Sequence, residues 1–372
     1  MKKNLLLTTA LASSLVVAGS GAIAQTTITG DMALTYAALS YKDNSTNGFS
    51  RRGAMRETQL NVTNTGKLNN GMGYAMGFAL EFDGTGYAVG RQTAVIDNSI
   101  SNENVYFDLL FGPTTVTVGV DHAPRGYASV VPQVYNIVDL APIAGSATSF
   151  VVGGAVVESF GAGVNHKFMG LTASAYYTPK LRDTGQAETT SLGAGAENSA
   201  YELGLAGTIQ GTGLSVKAFT SNSKKRDSLM GGDIESTVLG LGYNFGKFAI
   251  GAEYIEDRNN HGFANLDASL TSQAGASSGY NTQTRVEKTK WAGVSYNIDK
   301  NSSVSVGQFK TELGGSVKAT TQRDEKMTAV QYGYNFGPVG LSLSYLKFEN
   351  MNYTSALTAS GDMGIARLTA KF

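Results

Sequence analysis

The sequence predicts an all-β chain folded as a 16-stranded antiparallel transmembrane β-barrel with long extracellular loops and short periplasmic turns. Large apolar residues recur at every second position through segments of about 9–12 residues, the length a tilted strand needs to cross a bilayer. The connections between these segments alternate strictly between short and long. Beyond residue 24 no apolar run reaches the roughly 18 residues of a spanning helix, so the chain either stays in water or crosses a membrane as strands.

The alternation is clearest in Met72 to Phe82, where Met72, Tyr74, Met76, Phe78, Leu80 and Phe82 are large and apolar. The intervening Gly73, Ala75, Gly77, Ala79 and Glu81 are small or acidic. The pattern returns in Val105, Phe107, Leu109 and Phe111, in Leu239, Leu241, Tyr243 and Phe245, and in Val330, Tyr332, Tyr334 and Phe336. A soluble sandwich would turn the apolar set onto a second sheet. In a membrane barrel that set faces lipid, and the small and polar set faces a lumen. Most aromatics fall on the outward parity, Tyr106, Tyr176 and Phe219 being the exceptions.

Short connections are expected near 65–70, 112–113, 167–170, 210–213, 246–247, 299–302 and 337–338. Long ones are expected near 42–52, 83–101, 122–150, 180–198, 222–234, 257–283, 311–324 and 350–361. Eight long and seven short connections join sixteen strands, an even number with both termini on the short-turn side, as in bacterial outer-membrane barrels. Gly242-Tyr-Asn-Phe-Gly246 and Gly333-Tyr-Asn-Phe-Gly337 form a weak repeat. Each sets outward Tyr and Phe just before a turn, where an interfacial aromatic girdle belongs.

Lys2 and Lys3, the apolar stretch from Leu5 to Val17 and the small-x-small site Ala22-Ile-Ala24 read as a cleavable secretory signal over residues 1–24, leaving one barrel domain over 25–372. The sequence has 29 basic and 29 acidic residues, and loss of Lys2 and Lys3 tips the balance to two excess acids. With no basic patch, nucleic acid is excluded as a partner. The chain has no cysteine, which suits an exported protein without disulfides. It carries no P-loop, HExxH or complete GxGxxG, and no cofactor or metal is expected. Its histidines are His122, His166 and His261. The adjacent Asp121 and His122 would point to opposite faces of a strand and so cannot form a catalytic dyad there. An enzyme is not expected.

Three stretches carry a family resemblance: Thr27 to Tyr36, Gln59 to Tyr74, and the terminal Ile365-Ala-Arg-Leu-Thr-Ala-Lys-Phe372. With them the mature chain resembles a Gram-negative trimeric general porin of alphaproteobacterial type, and the final Phe372 is similar to the barrel-assembly signal of such proteins. The resemblance implies a homotrimer in outer-membrane lipid, with a water-filled channel for passive diffusion of small polar solutes and ions. A substrate-specific channel, for sugars for example, is the alternative; it would show an aromatic track along the lumen.

The resemblance also implies a third loop folded into the lumen. Here that loop, His122 to Ser149, is less polar than the others, with Val130, Val131, Val134, Tyr135, Ile137, Val138, Leu140 and Ile143. Such a loop is better accommodated against an inner wall than on an outer surface. Porin constrictions set loop carboxylates against wall arginines. The candidates in this chain are Asp139, with Asp121 and Arg125 at the loop's entry and Glu158 after it, and Glu57, Gln59, Arg285 and Arg367 on the wall. Lys217 and Lys371 share the inward parity, and Arg56 points outward. Gln59 stands where the porin pattern has an inward arginine, which leaves charge selectivity open.

Overall fold

The computed structural model describes residues 24–41, 52–84, 100–120, 160–179, 199–223, 233–258, 285–315, 324–350 and 360–372. Sixteen strands run along the chain: β1 Gln25–Tyr41, β2 Arg52–Lys67, β3 Gly73–Gly84, β4 Ile100–Phe111, β5 Thr114–Val120, β6 Phe160–Phe168, β7 Leu171–Thr178 and β8 Ala200–Thr208, then β9 Leu214–Ser223, β10 Ile234–Phe245, β11 Phe248–Arg258, β12 Arg285–Asn297, β13 Ser302–Gly315, β14 Glu325–Phe336, β15 Val339–Glu349 and β16 Gly361–Lys371. Each pairs with its sequence neighbours, and β1 pairs antiparallel with β16 to close the ring. The expected strand number and the alternation of connections are both observed. Among the described residues no helix is long enough to cross a membrane; the crossing is made by strands.

The seven short turns gather at one end. Gly112-Pro113, Gly246-Lys247 and Gly337-Pro338 make two-residue hairpins, each with a positive φ at its glycine (59°, 61° and 79°). That conformation matches the twist of the flanking strands and is inexpensive only without a Cβ. The 298–301 turn uses a side chain instead. Asp299 accepts from the backbone N–H of Asn301 (2.7 Å) and of Ser302 (2.9 Å). These bonds, that from Asn301 first, hold its carboxyl below the usual carboxylate range.

The seam between first and last strands closes at the same end. The Gly30 N–H donates to the Phe372 carbonyl (2.8 Å), and the Phe372 N–H donates back to Gly30 (2.9 Å). The Phe372 ring occupies the place where a Cβ on Gly30 would stand. Glycine is therefore what lets the terminal phenylalanine lie against β1.

The outward face is apolar through the middle of the wall, as the alternation predicts. Leu34, Tyr36, Phe78, Phe107, Leu203, Leu241, Ile250, Val330 and Leu343 are all exposed on it. In water each would forfeit about 1.5–3 kcal/mol; in a bilayer this exposure is the stable arrangement. At the short-turn end Tyr243, Phe245, Phe248 and Tyr296 stack in sequence, with ring centroids 5.8, 5.6 and 4.7 Å apart. Tyr334 and Phe336 pack at 4.5 Å. Apart from Tyr296, which joins them from β12, these rings come from the two repeats and, for Phe248, from just past the turn after the first, in the place a girdle requires.

Towards the long-loop end the amphipathicity inverts within single strands. On β11–β15 the outward positions become charged: Glu256 and Arg258, Lys288 and Lys290, Lys310 and Glu312, Lys326, Lys347 and Glu349. The inward positions become large and apolar: Ile255, Trp291, Phe309, Met327, Leu346 and Phe348, all buried. Val238 on β10 and Met363 on β16 extend the same inner belt. This differs from the uniformly small and polar lumen face expected from β3. It also adds Trp291, Phe309 and Phe348 to the inward aromatics, alongside Tyr176 and Phe219, which are buried on that face as expected. The physical reason is depth: above the hydrocarbon layer the outer surface meets headgroups and water, so charge moves outside.

Candidate functional site: the lumen wall

The lumen-facing side chains fall into two polar walls. The first is built on β2, β1 and β16. Register sets Ala33 opposite Glu57, Thr35 opposite Arg367, and Asp31 opposite both Gln59 and Lys371. The side chains of Glu57 and Arg367 reach across β1, and an Arg367 Nη2 donates to Glu57 Oε2 at 3.3 Å. Glu81 on β3 is opposite Gln59 and extends the wall. The arginine is largely covered and its glutamate half exposed, so the pair presents its acidic member to the aqueous path.

The second wall lies on β8–β12. β9 is eight strands from β1 in either direction round the ring, so the two walls face each other. Register aligns Glu202, Ser221, Ser236, Asp257 and Glu287 in one row. Below it Lys217, Gly240 and Glu253 are aligned. Gly240 has no side chain, and Lys217 Nζ meets Glu253 Oε1 above it at 3.3 Å, with side chains 2% and 0% exposed. The Ser236 hydroxyl donates to Asp257. Glu325 on β14 adds another inward carboxylate. Between the walls, Ser305, Gln331 and Ser344 form a hydrogen-bonded row across β13–β15 (3.0 and 3.3 Å).

Among the described residues the second wall therefore carries Glu202, Glu253, Asp257 and Glu287 with Lys217, while the first carries Asp31, Glu57 and Glu81 with Arg367 and Lys371. Charged rings and walls of this kind bias which ions pass. His166 lies on β6 opposite Thr114, with Nδ1 2.8 Å from the Thr114 hydroxyl oxygen, and stacks on Phe168 among the membrane-facing side chains. Among the described residues no group of three or more His, Cys, Asp or Glu is arranged to hold a metal ion.

The Gram-negative porin family profile matches residues 8–350. The chain belongs to this family. It is an outer-membrane porin channel. Similar solved structures include a loop-deleted form of OmpT, an outer membrane protein of Vibrio cholerae, at 11% identity and TM-score 0.59, covering 94% of this chain and 99% of that one. A mutant Rh. blastica porin matches at 10% identity and TM-score 0.54, covering 94% and 100%. A further porin structure matches at 12% and 0.55 with the same coverage. At these identities the likeness is one of fold. No curated protein matches the chain.

Of the residues singled out from sequence, Glu57, Gln59 and Arg367 come together on one wall of this porin, and Lys371 joins them. Arg56 is opposite Leu34 and faces outward. Arg285 begins β12, opposite Gly315, and its side chain is outside the described set. Asp121, Arg125, Asp139 and Glu158, with the whole third loop and also His122 and His261, lie outside the described residues. The sequence reading missed the acidic wall of Glu202, Glu253, Asp257 and Glu287. Parity could have found Glu202, set between Tyr201 and Leu203, and Glu253, set between Ala252 and Tyr254, whereas Asp257 and Glu287 have charged neighbours on the other parity and needed the register.

Proposed function

We propose that this porin is a general diffusion channel of the alphaproteobacterial type, passing small hydrophilic solutes and ions without catalysis or a bound cofactor. The observation that carries this reading is a closed barrel whose inner face bears two facing walls of charged side chains. Small polar solutes would pass along these walls through the aqueous lumen, with no chemistry performed on them. Among the described residues carboxylates outnumber ammonium groups on the β8–β12 wall, a field that favours cations. The constriction is assigned to Asp121, Arg125, Asp139 and Glu158 of the third loop acting against Glu57, Gln59, Arg285 and Arg367.

Planar-bilayer conductance under a salt gradient tests this. A large, unsaturating conductance with a reversal potential of cation-selective sign is expected. An anion-selective sign would overturn the assignment of the acidic wall, and absence of conductance would overturn the diffusion pore. The inward Trp291 and Phe309, edge to face at 6.3 Å, favour one second reading, a channel with a solute preference. A sugar that blocks the current at saturating concentration would support it.

The reading includes export through the signal over residues 1–24 and assembly as a homotrimer through the outward walls of the first and last strands. Protein extracted from membranes is expected to begin at Gln25 on N-terminal sequencing and to run as a heat-sensitive oligomer in mild detergent. A start outside residues 24–26 would reject the cleavage site, and a monomer in every detergent would reject the trimer.

A further inference from the structure

The outward face of β10–β13 holds a groove of ≈ 600 Å³ between Leu241, Ile250, Val294 and Val306, floored by Ala252 and Ala292. Its depth follows from the register: the small outward Ala252 and Ala292 are directly opposite each other, and the larger outward Leu241, Ile250, Val294 and Val306 stand around them. Toward the long-loop end the groove runs into a second depression of ≈ 560 Å³ lined by Leu239, Tyr254, Lys290, Gln308 and Lys310. Ala252, Ala292 and Gln308 border both. An acyl-chain-sized apolar trough thus ends at a cationic rim.

The rim is unusual for a sheet. Lys290 is directly opposite Lys310, and Lys310 is directly opposite Lys326. Like charges in such cross-strand positions destabilise the sheet. Glu312 is shared between Lys290 (3.4 Å) and Lys310 (2.9 Å), and Asp324 reaches Lys310 at 3.0 Å. Lys288 and Arg258 are drawn to Glu256 (3.6 and 2.9 Å). On β11–β13 the acids Glu256 and Glu312 stand one outward position nearer the long loops than Tyr254, Lys290 and Lys310. The next outward positions on the membrane side are Ala252, Ala292 and Gln308, all uncharged. The sheet therefore leaves its ammonium groups facing the bilayer with no acid below them.

We propose that this face binds one phosphate-bearing lipid of the loop-side leaflet, an acyl chain lying in the groove and the phosphate seated on Lys290 and Lys310, with Lys326 beside them. Two outward positions along a strand span about 7 Å, so one lipid brings its phosphate to Lys290 while its chain starts at Ala292 and passes Val294. Charge-assisted hydrogen bonds to the phosphate offset the repulsion along the lysine row. A second copy of the chain fits the face less well. Its own outward wall is apolar at the level of the groove, so burying the lysines against it would strip them of water while the second copy brought no charge to offset that loss. The face also lies apart from β1 and β16, the strands assigned to the trimer contact.

Native mass spectrometry of the full-length protein released from detergent tests the proposal, with phosphatidylglycerol, phosphatidylcholine and inorganic phosphate as separate probes. Phosphatidylglycerol adducts are expected to exceed phosphatidylcholine adducts. Lys290→Gln with Lys310→Gln should reduce that preference by about tenfold, the loss of two charge-assisted contacts. Ala292→Leu, which fills the groove, should lower adducts of both lipids. Channel conductance, unchanged in each variant, reports that the barrel is folded and separates this site from the pore. If the double variant does not assemble, Lys290→Gln alone must still shift the preference in the same direction. Equal phosphatidylglycerol adducts with and without the lysines would overturn the proposal. So would inorganic phosphate displacing the lipid at equal concentration, which would mark a free-anion site. Dissociation of the oligomer by Ala292→Leu with lipid adducts unchanged would reassign the groove to a protomer interface and overturn it as well.

Discussion

Deleting residues 130–144 is expected to raise single-channel conductance severalfold while the barrel still closes. The segment belongs to the connection between β5, which ends at Val120, and β6, which begins at Phe160. Its valines, isoleucines and Tyr135 would each forfeit roughly 1.5–3 kcal/mol if left in water. The lumen side of β10–β16 offers matching surface in Val238, Ile255, Trp291, Phe309, Met327, Leu346, Phe348 and Met363. Apolar side chains of that size on the inner face of an aqueous channel call for an apolar cover. A loop packed there would subtract its own cross-section from the pore. Closure itself rests on backbone pairing, including eleven register pairs between β1 and β16 from Asp31↔Lys371 to Tyr41↔Gly361, and none of these involves the loop. The deletion variant should therefore insert and conduct, although it should unfold at lower temperature because the inner belt is uncovered. In the same assay Asp139→Asn should shift selectivity toward anions with little change in size limit. An unchanged conductance from a folded deletion variant would show that the loop does not constrict the pore.

Strand number, connection lengths and the outward apolar face were legible because each rests on a local rule. Two-residue alternation sets the faces, and Gly-Pro or Gly-Lys at 112–113, 246–247 and 337–338 sets the tight turns. The inward placement of Trp291 was not legible, because β12 carries charge on both parities: Glu287 on one, Lys288 and Lys290 on the other. Only the register with β11 and β13, which aligns Trp291 with Glu253 and Phe309, settles its side. Leu346 and Phe348 were hidden differently. Their strand opens with Leu341, Leu343 and Tyr345 outward and then inverts, so extrapolating the first half gives the wrong character to the second. At the candidate site, parity placed Glu57 and Arg367 on the lumen side but could not join residues 310 positions apart. The join is a consequence of ring closure, which inserts β1 between their strands. The lysine row at the outer rim is likewise a property of register, since Lys290, Lys310 and Lys326 are unremarkable in their own segments.

Lys217→Met is expected to destabilise the folded barrel by about 3–5 kcal/mol, the range for removing one partner of a buried ion pair. The methionine keeps the apolar stem and loses the ammonium, so the change isolates the charge. The geometry makes this pair sensitive. Lys217 and Glu253 are two strands apart and meet only because Gly240 between them has no side chain. Both side chains are out of contact with solvent, at 2% and 0% exposure, so water cannot replace the lost ammonium at Glu253. Two further carboxylates, Asp257 on the same strand and Glu287 beside it, are also buried and share the inner face, so removing the lysine also takes a positive charge from an acidic wall. Adding Glu253→Gln should restore most of the loss, because the desolvated charge is then gone and an amide can still hydrogen-bond. The double-mutant cycle, read by denaturant unfolding in lipid vesicles, should give a coupling well above the few tenths of a kcal/mol expected for independent sites. A Lys217→Met barrel within about 1 kcal/mol of the unsubstituted one, with no rescue by Glu253→Gln, would mean that the pair behaves as an exposed contact and that the wall's acids are held by something other than this lysine.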